Sequence, residues 1–196
     1  MFNYDEYRKE LDLINDAEID AFNVDYDPDE IDEMEKPFIK RRSELNKKYK
    51  ILFKQELKDA WTQPLEEFYL IDDKENNVIV HYNEKNKNYV YTLPYEDIKK
   101  IINFIKKEPE LFNKVDVACP PVLDGSEHYL YICDIDNDIE LNCANLWYWL
   151  DENAFDDKHL NATREELEHT KVIIRIVSII QGFLKANKIK YKILSD

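Results

Sequence analysis

Cys119, Asp124 and His128 come nearest, in type and spacing, to a catalytic set in this chain. A cysteine nucleophile works as a thiolate beside a histidine, with a third group to orient the imidazole. Cys119 and His128 flank the turn Leu123-Asp-Gly-Ser126, so a cysteine/histidine cleft with Asp124 as the orienting carboxylate is permitted. It is not signalled. Ser126, two residues from His128, lacks the Gly-x-Ser-x-Gly elbow that presents a hydroxyl nucleophile.

Metal chemistry finds equally little support. A structural zinc site wants cysteine or histidine pairs about two to four residues apart. Here 13 residues separate Cys119 from Cys133 and 9 separate Cys133 from Cys143, which reads as three reduced thiols. Two acidic ladders, Asp25-Tyr-Asp27-Pro-Asp29 and Asp134-Ile-Asp136-Asn-Asp138, open like a calcium-binding loop. Such a loop also needs glycine at its sixth position and glutamate at its twelfth. The first ladder supplies Glu30 and Lys36 there, and the second Ile139 and Asn145. Both fail, which leaves Asp134, Asp136 and Asp138 only as a minor divalent-cation candidate. Gly125 and Gly182 are the sole glycines, too few for a phosphate-cradling loop or a dinucleotide fingerprint, and no cofactor is expected.

Charge is distributed more tellingly. Residues 1–35 carry 14 carboxylates against Arg8 and Lys9, a net of −12, while residues 36–54 carry 8 basic side chains against Glu44, a net of +7. Adjacent blocks of opposite sign either neutralise each other or offer two charged faces to partners. The basic stretch, with Lys40, Arg41, Lys47, Lys48 and Lys54, has the composition to grip phosphates. Yet the chain as a whole is −15, with a pI near 4.7, and its long-range field repels nucleic acid. The acidic block is the nearer partner for the basic one. The run Asn145-Leu-Trp-Tyr-Trp-Leu150 reads first as core packing and second as an interaction candidate, because Trp147, Tyr148 and Trp149 are the residue types that anchor interfaces.

The elements that must position these groups follow from periodicity. Tyr7, Leu11 and Ile14 predict a short acidic helix over residues 4–22, followed by an acidic linker over 25–36 containing Pro28. Leu45, Tyr49, Leu52, Phe53 and Leu57 fall at three- and four-residue steps and predict an amphipathic helix from Pro37 to about Trp61. Short β-prone runs at 68–71, 78–82 and 89–93 predict a three-stranded meander, and 128–135 with 138–149 a second hairpin. Ile98, Ile101, Ile102 and Ile105 mark one helix face after Pro94. Thr163-Arg-Glu-Glu166 is a capping box opening a helix whose buried face is Ile173, Ile176, Val177, Ile180 and Leu184. Ile189, Tyr191 and Ile193, alternating with lysines, predict a terminal edge strand.

The expected architecture is therefore α+β: an antiparallel sheet built from two hairpin or meander units, two packing helices and an N-terminal helical arm. The arm would span residues 1–62 and the core domain 63–196. The abundance of Lys, Asn, Ile and Tyr beside only 5 Arg reads as codon bias from an AT-rich genome, so the Asn-rich turns carry no functional message. No apolar leader and no run approaching ~18 apolar residues is present, so a cytoplasmic protein away from membranes is expected. The leading functional expectation is a non-catalytic module that binds another, basic protein, as an inhibitor or immunity-type antagonist would. Its contact candidates are Asp25, Asp27, Asp29, Trp147, Tyr148 and Trp149. The alternatives are an enzyme built on Cys119, Asp124 and His128, and a subunit or scaffold that docks through the arm.

Overall fold

Tyr7, Leu11 and Ile14 recur at four- and three-residue steps, and they are the buried stripe of the first helix, α1 (Tyr4–Val24). A second helix, α2 (Ile31–Lys48), lies against it and contributes Leu45 and Asn46 to the same interior. The computed structural model describes residues 2–24, 31–59, 66–74, 77–82, 87–113, 115–119, 126–134, 136–151, 154–156 and 161–189. Its chain divides into two compact units, residues 1–51 and 52–196.

In the first unit, the Tyr7 hydroxyl donates to Asn46 Oδ1 at 2.7 Å, satisfying a buried acceptor between the helices. The rings of Phe2, Tyr7 and Tyr49 cluster with centroids 5.4–5.7 Å apart. Two expectations are corrected here. Helix α2 begins at Ile31, inside the expected linker, and Pro37 sits within it rather than at its start. The helix also ends at Lys48 instead of running to Trp61. Lys50 takes a left-handed conformation (φ 56°) and the chain leaves as a strand, β1 (Ile51–Asp59). Leu52, Phe53 and Leu57 satisfy a helical period, but pairing with a distant strand decides their conformation.

That strand is central. β2 (Glu66–Ile71), β3 (Val78–Tyr82) and β4 (Lys87–Tyr91) form the expected meander. β5 (Ser126–Cys133) and β6 (Asp138–Ala144) form the hairpin. The antiparallel sheet of six strands runs β4-β3-β2-β1-β5-β6, so β1 joins the meander to the hairpin and belongs with the sheet, not with the arm. Register places Phe53 opposite Ile132, Gln55 opposite Leu130 and Leu57 opposite His128 on one face. Leu130 opposite Leu141 and Phe68 opposite Val80 extend that face across the sheet.

Two helices pack on this apolar face. α3 (Tyr95–Ile105) buries Ile98, Ile101, Ile102 and Ile105, and α4 (Arg164–Ala186) buries Ile173, Ile176, Val177, Ile180 and Leu184, all in one core with the strands. They run antiparallel: Asn187 reaches Asp97 at one end, and Arg175 meets Glu108 and the Phe104 ring at the other. The capping box forms as expected, with Glu166 N–H donating to Thr163 Oγ1 at 3.2 Å and Thr163 N–H to Glu166 Oε2 at 2.5 Å. β6 stops at Ala144, short of the expected 149. Asn145 turns left-handed (φ 46°), and residues Leu146–Leu150 form a 3-10 helix. Ile189 is buried in the core; residues 190–193 of the expected edge strand lie outside the described residues.

Candidate functional site

Six of the seven carboxylates of α1, all but Glu6, divide into two sets according to where the helix turns them. Glu10 and Glu18 lie toward α2. Lys48 Nζ sits 2.7 Å from both oxygens of Glu10, and the Tyr49 hydroxyl donates to the same carboxylate at 2.7 Å. Hydrogen bonding from Lys48, and then from Tyr49, holds Glu10 below the usual carboxylate range. Tyr49 is pushed above the ordinary phenol range, by burial first and by Glu10 second. Farther along, Arg42 grips Glu18 at 2.5 Å with both side chains largely out of solvent. The acidic and basic blocks thus neutralise each other in part, as two helices side by side.

The second set faces away. Asp5, Asp12, Asp16 and Asp20 are all exposed, and their spacing places them within about a quarter-turn of one another around the helix axis. Arg8 bonds Asp12 at 3.1 Å, whereas Asp5, Asp16 and Asp20 make no ion pair among the described residues. Leu13 and Ile19, 61% and 58% exposed, flank this stripe. A shallow groove of about 370 Å³ runs along it, lined by Tyr4, Asp5, Arg8, Lys9, Asp12, Leu13 and Asp16. The result is an acidic ridge with two apolar side chains at its margins.

Sequence reasoning missed a second feature, the sheet face turned away from α3 and α4. Register puts Lys54 opposite Tyr131, Tyr131 opposite Glu140, and Glu56 opposite Tyr129. Lys54 and Glu56 are buried and paired at 2.7 Å, and Lys54 Nζ also lies 5.1 Å from the Tyr129 ring and 5.9 Å from that of Tyr69. Tyr69 in turn donates to Glu67 at 3.0 Å. The polar alternation of Lys54, Glu56 and Lys58 was the signal, hidden by the helical reading of the same stretch.

The expected catalytic residues sit in unlike surroundings. Cys119 is exposed, whereas His128 is buried on β5, where Gln55 Nε2 donates to its Nδ1 at 2.7 Å. Burial pushes the His128 pKa down to about 4, so the imidazole is neutral. The residue opposite it is Cys143, whose thiol burial pushes up to about 12, far from thiolate reactivity. Asp124 lies outside the described residues.

Asp134 is a turn device. Its Oδ1 accepts from the backbone N–H of Asp136 at 3.1 Å and of Asn137 at 2.8 Å, closing the β5–β6 turn. Among the described residues no three His, Cys, Asp or Glu side chains gather as a metal site, and Asp134, Asp136 and Asp138 are no exception. Trp149 faces inward at 2% exposure, packed with Ala118, Ala154 and the Phe155 ring 5.0 Å away. Tyr148 is half-buried against it. The Trp147 side chain, like Asp25, Asp27 and Asp29, lies outside what the structure describes.

No protein-family model, curated protein or solved structure matches this chain. Among the described residues no helix is long and apolar enough to cross a membrane.

Proposed function

We propose that the protein is a non-catalytic interaction module whose N-terminal helical arm binds a basic protein, in the manner of an inhibitor or immunity-type antagonist. One observation carries this reading: α1 commits Glu10 and Glu18 to its own partner helix, yet leaves Asp5, Asp16 and Asp20 exposed and unpaired among the described residues. Structural need accounts for the first set, for Asp5 as a first-turn carboxylate that complements the helix dipole and for Asp12 as the partner of Arg8, but not for Asp16 and Asp20. A stripe of like charge raises the association rate with a complementary surface, and Leu13 and Ile19 supply apolar contact at its margins. The net charge of −15 favours a basic protein over nucleic acid as the partner.

The test is affinity purification of the tagged protein from its own cells at low salt, with partners identified by mass spectrometry. It is run beside a variant carrying Asp5→Asn, Asp12→Asn, Asp16→Asn and Asp20→Asn. A basic protein should accompany the wild type, leave as salt rises, and be missing from the variant. Equal recovery on both baits, or a complex indifferent to salt, overturns the reading.

A further inference from the structure

No further inference is drawn: the strongest candidate, the exposed edge strand β4 with Tyr89 and Val90 at the rim of the sheet, carries none because nothing in the structure shows what covers that edge.

Discussion

Burial has taken His128 out of the range in which histidines ordinarily titrate, and that makes it an acid-sensitive point of the fold. An unfolded chain binds a proton there near pH 6.5, the native one only near pH 4. Between those values the unfolded state holds more protons, so stability falls as pH drops from about 6.5 towards 4. The contribution is at most about 3 kcal/mol. Urea unfolding at neutral and acid pH should show a shallower loss in His128→Gln than in the wild type; parallel losses would place the acid sensitivity elsewhere. Asn77 acts through geometry instead. It is fully buried, its Nδ2 donates to the Leu93 carbonyl at 2.6 Å, and its Oδ1 accepts from Leu93 N–H at 2.7 Å. One side chain thus stands in for a rung of the ladder. Asn77→Ala leaves both Leu93 groups buried without partners and should cost about 2–4 kcal/mol in thermal or urea unfolding. A change of a few tenths would mean that water replaces the amide.

At the scale of elements, two ion pairs among the described residues join α1 and α2, in different settings. Arg42 and Glu18 are 14% and 19% exposed, while Lys48 and Glu10 are 57% and 34% exposed. Solvent screens the second pair more, so a double-mutant cycle should give a coupling of about 1 kcal/mol for Glu18–Arg42 and a smaller one for Glu10–Lys48. The reverse order would show that the added Tyr49 hydrogen bond outweighs burial. The join between α2 and β1 rests on Lys50, whose left-handed backbone ends the helix and releases the chain into the sheet. Nothing about a lysine announces that conformation, which favours glycine or asparagine.

Across the whole molecule, 42 acidic side chains face 27 basic ones, and the exposed pairs offset little of the resulting repulsion. Screening should therefore stabilise the fold. The urea midpoint is expected to rise between low salt and about 0.5 M NaCl, where the Debye length is about 4 Å. A falling midpoint would mean that the internal ion pairs outweigh the repulsion. The same salt should weaken the proposed complex, so the two measurements move in opposite directions. That contrast separates loss of binding from loss of folding.

Local periodicity was enough to specify α1, the β2–β3–β4 meander, the β5–β6 hairpin, α3 and the capped α4. Each of these is held by spacing or capping that neighbours in sequence supply, as with Thr163 and Glu166 or the isoleucines of α3. Composition likewise identified the acidic block and its basic neighbour. The tertiary structure alone decided β1. Ile51–Asp59 satisfies a helical and a strand period alike, and pairing with residues 126–132, far along the chain, selects the strand. The same decision set Lys54 beside Glu56 and the tyrosine rings, and gave His128 to Gln55. It also chose core over interface for Trp149, which packs with Ala118 and Ala154. Side chains at i and i+3 or i+4 meet because the helix makes them neighbours, but which strands lie side by side depends on burial summed over the whole chain.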